Sequence, residues 1–171
     1  MKNSVFKYGI IGGLIVSLFM CATLPFMDKN TDFANSELLG YATMLVSYTS
    51  LFFGVKSYRN NKLNGVISFK KAFMVGLYIA LVISSMYVLT WLILSNYFLP
   101  NFAIDYFNSS IEALNNSGLS QAEIDAQIQT MNVWMEYYKN PLFKAALTYL
   151  EILPLGILVT LFSAAILKKE E

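Results

Sequence analysis

The chain has 171 residues, of which 56% are hydrophobic and 13% charged, with 12 basic and 11 acidic side chains and a net charge of +1. A soluble domain usually carries about 25% charged residues, so this deficit, a mean hydropathy of +0.52 and long apolar runs point to a membrane protein. The basic residues are spread over short segments, which leaves no basic domain to grip nucleic acid.

Crossing the hydrocarbon core takes about 20 apolar residues in a helix. Four runs qualify, at 6–27, 38–55, 72–99 and 142–167. The first follows Lys2 and Lys7 and contains Cys21, the sole cysteine. Met20 stands where a lipoprotein signal would place a small residue, and no A-x-A-like exit follows. The run is therefore expected to stay as an uncleaved helix. The second run is the shortest, with Glu37 and Lys56 as candidate interface anchors. The third is longer than one crossing requires, so it is expected to tilt or project.

The insert at 100–141 separates the third and fourth runs. Ser120 and Glu123 form a capping box, with Leu119 and Ile124 as its hydrophobic staple. Ile124, Ile128, Met131, Met135 and Tyr138 then recur at helical spacing, and the helix is expected to stop at Asn140-Pro141. Phe107, Ile111 and Leu114 mark a shorter helix before it, ending at Asn115-Asn116-Ser117-Gly118. The insert reads as a helical hairpin with an apolar face. That face either lies on the bundle rim and lipid surface, with Trp91, Tyr97, Trp134, Tyr137 and Tyr138 as interface aromatics, or docks a partner or lids a cavity.

Nine of the 12 basic residues fall on one side of this topology: Lys2 and Lys7, then Lys56, Arg59, Lys62, Lys70 and Lys71, then Lys168 and Lys169. The positive-inside rule puts that side, with both termini, in the cytoplasm. The other side holds Lys29, Lys139 and Lys144 with Asp28, Asp32, Glu37, Asp105, Glu112, Glu123, Asp125 and Glu136. The fold class is all-α: a single integral membrane domain over 1–171, with four transmembrane helices in a bundle and an extracytoplasmic helical hairpin between spans three and four.

Apolar helices associate in lipid through small residues that let backbones approach. Span one offers Gly9, Gly13 and Ser17. Span two offers Gly40, Ser47 and Gly54, with Thr43 and Ser50 nearby. Span three offers Gly76, Ala80 and Ser84, and span four Gly156, Thr160 and Ala164. These faces predict a compact bundle, unless one of them pairs with another subunit.

The chain contains no histidine, so a His-dependent triad is excluded. No His/Cys cluster is available for zinc, haem or iron–sulfur. Gly12-Gly13 lacks the lysine of a phosphate loop, and the acidic residues of the insert do not have metal-loop spacing. No catalytic set and no cofactor are expected.

The polar exception inside the spans is the stretch LTYLEILPLGILVTL at 147–161. Counting about 20 residues back from Lys168 puts the outer edge of the hydrocarbon near Thr148. Glu151 then lies about 5 Å inside it, where a charge costs less than at the centre. Pro154 has no N–H and releases the carbonyl of Leu150, which needs a new partner in lipid. Glu151 and Pro154 therefore read as one polar, kinked outer end. Glu151 either bonds Thr148 or a neighbouring helix, or contacts a cation, a proton, a substrate or a lipid headgroup. It lies about 140° around the helix from Gly156. The basic connection KSYRNNKLNGVISFKK, with Lys56, Arg59, Lys62, Lys70 and Lys71, reads as topology control and attraction to anionic lipid headgroups; a cytoplasmic partner or a phosphate ligand is the alternative.

Three segments carry a family resemblance: GYATMLVSYTSLFFGVKSYRNN, GVISFKKAFMVGLYIAL and YYKNPLFKAALTYLEILPLGILVTLFSAAILKK. Together they resemble the bacterial four-span family called domain of unknown function 4199. The Glu-x-x-Pro-x-Gly segment of Glu151, Pro154 and Gly156 is the most specific part. The sequence departs from the family pattern at Lys70, where that pattern carries glycine. The resemblance implies a four-span fold, bacterial inner-membrane residence and a role for Glu151, but no reaction. The expected partners are membrane lipids and a membrane-protein partner or a second copy. The leading expectation is a non-enzymatic accessory or scaffold subunit of a membrane complex. The second is a small transporter or channel in which Glu151 contacts the permeant.

Overall fold

The computed structural model describes residues 1–24 and 33–169. Asp28, Lys29 and Asp32, the last residues of the first apolar run and the side chain of Glu37 lie outside the described residues. Six α-helices follow in order: α1 (Lys2–Thr23), α2 (Phe33–Lys62), α3 (Phe69–Ile93), α4 (Phe102–Asn115), α5 (Gln121–Tyr138) and α6 (Pro141–Leu167). Four of them, α1, α2 from Leu38, α3 with the turn that extends it, and α6, are long and apolar enough to cross a membrane.

The four long helices alternate in direction. α2 and α3 each pack against both α1 and α6 and also touch each other, so α1 and α6 occupy opposite corners. The registers follow from small residues. A Cβ on Gly9 would meet Val82, and one on Gly13 would meet Met86. One turn further, the Thr90 hydroxyl donates to that of Ser17 at 2.8 Å. Two steps of four on α1 thus match two steps of four on α3, as close backbone approach requires. Gly12 packs on α2 instead. Its carbonyl accepts from Ser47 Oγ at 2.6 Å, and a side chain there would strike Ser50. Gly54 packs under Ile79 and Tyr8, and Gly76 under Thr160 and Leu51.

Two boundaries differ from expectation. α2 runs past Val55 to Lys62, because Arg59 and Lys62 suit a final helical turn that faces the helix dipole. The third span does not remain α-helical to its end. Residues Leu94–Phe98 form a π-helical turn, in which Leu99 N–H donates to the Leu94 carbonyl at 2.8 Å. The wider turn ends the helix ahead of Pro100, which disfavours a helical residue before it. α6 begins at Pro141, with the Asn140 side chain accepting from Leu142 N–H at 2.9 Å; proline suits this first position because its missing N–H is unpaired there in any case.

The α4–α5 pair follows the sequence pattern closely. Along α5, Ile124, Ile128, Met131, Met135 and Tyr138 are the residues withdrawn from solvent, and all others are exposed. Glu123 accepts from the Ser120 backbone N–H at 3.0 Å and from its hydroxyl at 2.6 Å. These bonds favour the charged form and hold its carboxyl below the ordinary value of 4.5.

At the other end of the bundle, the basic connection closes over α6. Asn64 and Gly65 adopt positive φ angles of 50° and 90°. The chain then extends, and Ile67 and Lys169 exchange backbone hydrogen bonds of 3.0 and 2.9 Å. Arg59 Nη1 donates to the Leu167 carbonyl at 3.2 Å, which satisfies an acceptor that the helix end leaves open. Lys56, Lys62, Lys70 and Lys71 are exposed around this closure, and the Lys71 backbone N–H donates to the Ser68 cap.

Candidate functional site

The four helices are sealed around Tyr48. This residue is completely buried. Its hydroxyl lies 3.0 Å from that of Ser84 and donates to the Ile152 carbonyl at 3.0 Å. Its ring lies on Gly156: a Cβ there would come within 2.7 Å of the ring carbon and hydroxyl. The small-residue pattern of span four therefore serves an aromatic side chain on α2, and Ala80 is buried without solvent contact in the same core. α6 stays helical through Pro154. Two residues before the proline, the Ile152 carbonyl accepts from the Tyr48 hydroxyl across the core. Among the described residues no buried side-chain nitrogen or oxygen lacks a hydrogen bond, as a low-dielectric interior demands.

Toward the α4–α5 end the helices part. They leave a cavity of about 500 Å³. α1 contributes Val16, Phe19 and Met20, α2 contributes Gly40, Tyr41, Thr43 and Met44, and α3 contributes Tyr87 and Trp91. α4 covers it with Phe102, Tyr106 and Phe107, α5 adds Tyr138, and α6 closes it with Leu147, Thr148 and Glu151. Among the described residues nothing lies within 4 Å of a Cβ built on Gly40. Gly40 thus differs from the other small residues named for packing: it borders the void and contacts no helix through a small-residue face.

Among the described wall residues Glu151 is the charged one, and the Tyr87 hydroxyl donates to its Oε1 at 3.4 Å. The contact is with a neighbouring helix. Thr148, the other expected partner, turns its hydroxyl back to the Lys144 carbonyl at 2.8 Å, and Thr43 does the same to Leu39 at 2.8 Å. Neither threonine offers its proton to the cavity. Trp91 Nε1 donates to the Tyr138 hydroxyl at 2.8 Å, and Trp91 stacks edge-on against Phe102 with ring centroids 5.1 Å apart. These aromatic contacts tie α3 to the cover helices. Trp91 and Tyr138 are therefore cavity walls, while Tyr97, Trp134 and Tyr137 stay exposed.

Lys144 supports the cover from behind. It is 7% exposed, and its Nζ donates to Asn96 Oδ1 at 3.0 Å and Ser95 Oγ at 3.3 Å. It also lies 5.0 Å from the centroid of the Tyr138 ring, a favourable cation–π distance. Burial raises the Tyr138 phenol above its ordinary value of 10.0, so the ring stays neutral beside the lysine. The π-helical turn brings Ser95 and Asn96 to this ammonium.

Sequence reasoning singled out Glu151, Pro154, Gly156 and Thr148 as one group. The structure divides them. Glu151 and Thr148 line the cavity, whereas Gly156 belongs to the Tyr48 core. Tyr87, Tyr48, Gly12 and Lys144 were missed. A tyrosine one helix away has no spacing signal, but Gly12 was visible as half of a Gly-Gly pair. Among the described residues no three His, Cys, Asp or Glu side chains are grouped closely enough to share a metal ion.

A bundle of four membrane-length helices, sealed at one end and hollow under two cover helices at the other, defines a polytopic α-helical membrane protein. The chain belongs to the family described as Protein of unknown function (DUF4199), whose model matches residues 7–169. Neither a curated protein nor a solved structure matches it.

Proposed function

We propose that this chain is a non-enzymatic, multi-pass protein of the bacterial inner membrane that binds an amphipathic small molecule at the outer end of its bundle, with Glu151 as the polar contact. The basic residues favour cytoplasmic termini, and with them an extracytoplasmic α4–α5 pair. The observation that carries the reading is the cavity of about 500 Å³ beside Glu151. It has the size and largely apolar lining of a small-molecule site, with few polar groups to fix orientation. Tyr48, Ile83 and Ile152 are fully buried deeper in the bundle, which supports binding over passage through an open channel.

The test is native mass spectrometry of the protein released from nanodiscs. A retained amphiphile that Gly40→Leu displaces is the expected result. If filling the cavity leaves every retained molecule in place, the reading fails.

The accessory-subunit reading draws on a separate feature. Val133, Trp134 and Tyr137 stand exposed on the outer side of α5, and both aromatic rings lean on Phe143. Crosslinking from position 134 to a stoichiometric membrane-protein partner would support it, whereas crosslinking to lipid alone would make this face an interfacial one.

A further inference from the structure

We infer that the furrow between α1 and α3, on the basic side of the bundle, holds one anionic phospholipid, with an acyl chain along the furrow and the phosphate at Lys2 and Lys71. The inference is independent of the outer cavity and of what binds there. Three observations carry it. First, the furrow is open, apolar and about one leaflet long. It has a volume of about 560 Å³ and is lined by Val5 and Phe6 of α1 and by Leu81, Met86 and Leu89 of α3. Its wall from Tyr78 to Leu89 rises about 16 Å. That is close to half of a hydrocarbon core about 30 Å thick. A partner helix would cross both leaflets, whereas a lipid chain fills one. The Ser85 hydroxyl, which also lines the furrow, is already engaged: it donates to the Leu81 carbonyl at 2.8 Å and lies 2.7 Å from the Tyr149 hydroxyl.

Second, the furrow ends on two ammonium groups. Lys2 is part of its lining. Gly9 meets Val82 and Gly13 meets Met86, so α1 and α3 run parallel, and Lys2 is level with Val75. Lys71 stands one turn before Val75 and two turns before Tyr78, on the same face as the latter. Both lysines are exposed, and among the described residues neither ammonium has an ion-pair partner. Lys7, by contrast, lies over the Tyr8 ring, 5.6 Å from its centroid. A phosphodiester supplies the charge and the acceptor oxygens that two such ammonium groups take. A zwitterionic headgroup brings its own cation to compete for that phosphate.

Third, Tyr78 stands where the furrow passes from its apolar wall to the basic pair, and it is 39% exposed. A ring with an apolar body and a polar tip suits the boundary between acyl chain and headgroup.

The test titrates the full chain in mild detergent with dioleoylphosphatidylglycerol or dioleoylphosphatidylcholine and counts adducts by native mass spectrometry. The expected result is one adduct that forms with the anionic lipid at a concentration at least about tenfold lower, as two lysines near a headgroup allow. Lys2→Gln with Lys71→Gln should bring the two lipids within about twofold of each other. Lys62→Gln with Lys168→Gln removes the same charge from α2 and the end of α6, and should keep most of the preference. Dihexanoylphosphatidylglycerol has the same headgroup on short chains and should bind at least about tenfold more weakly than the dioleoyl lipid. Leu81→Trp fills the furrow and should weaken both dioleoyl lipids several-fold. Gly40→Leu, which fills the outer cavity, should leave the adduct unchanged.

Equal retention of the two dioleoyl lipids, or an equal loss of preference in the two lysine pairs, overturns the inference, because the charge is then diffuse. Equal binding of the short-chain lipid overturns it as well, since the headgroup alone then suffices. Displacement of the adduct by Gly40→Leu moves the lipid to the outer cavity and overturns the furrow site while supporting the cavity as a binding site.

Discussion

The two ends of this bundle are built from the same four helices and similar residues, yet one is packed solid and the other is hollow. Gly156 and Gly40 show why. Both sit in small-residue patterns on apolar spans. Gly156 lies under the Tyr48 ring, so its missing side chain is filled by a neighbour. Gly40 lies at the wall of the cavity, so its missing side chain is part of the space. In the closed half, polar groups face one another: Ser47 to the Gly12 carbonyl, and Tyr48 to Ser84 and Ile152. In the hollow half the hydroxyls of Thr43 and Thr148 return to their own helices, and among the described residues the Glu151 carboxylate and a set of aromatic rings line the void. A small residue in a membrane helix therefore marks either close packing or reserved volume, depending on what stands opposite.

Substitutions that exchange these roles test the contrast most severely. Gly156→Leu should be the most damaging change, because a side chain there must displace a completely buried tyrosine. We expect a loss of about 3 kcal/mol, at the upper end of overpacking costs, read as a lowered midpoint of thermal precipitation in mild detergent. Tyr48→Phe keeps the ring on Gly156 but removes the donor to Ile152. A loss of about 1 kcal/mol in the same assay fits the modest worth of hydrogen bonds inside membrane bundles. A loss as large as that of Gly156→Leu would show that the hydroxyl, more than the ring, seals the core.

Gly40→Leu should change that midpoint by less than about 0.5 kcal/mol, since its new side chain enters space and replaces a poor helix former. Strong destabilisation by Gly40→Leu would erase the distinction between the two ends.

The smallest effect lies on the cover. Glu123 has a lowered folded-state value, so its contribution to α5 is present above the ordinary value of 4.5. It is lost as pH falls through the lower folded value. Amide exchange, corrected for intrinsic rates, should show fraying of the first α5 turn at pH 3 relative to pH 7, and Glu123→Gln should remove the difference. α6, capped by Asn140, should show no such change.

Much of the fold was legible from residue order. The five inward residues of α5 matched the helical stripe, and the Ser120–Glu123 cap formed where its spacing placed it. The Gly9-Gly13-Ser17 face met α3 residue by residue. The site was legible only in part. Glu151 stood out because a charge among apolar residues is costly, but its surroundings depended on how five other helices were arranged. Trp91 and Tyr138 read as interface aromatics because sequence shows an amphipathic ring and not the partner that its polar atom finds.

Hydrophobic length, basic flanks, caps and glycine spacing are local properties, and the sequence by itself determined them: four membrane-length helices, their alternation, and a helical pair between the last two. The tertiary structure alone decided which small residues are filled and which are left open. It also decided that Tyr48 takes the space at Gly156 and that Glu151 meets Tyr87 at the wall of a cavity. The physical reason is that packing and cavity formation depend on the relative placement of side chains far apart in sequence, and apolar helices of equal length and hydropathy admit more than one such placement.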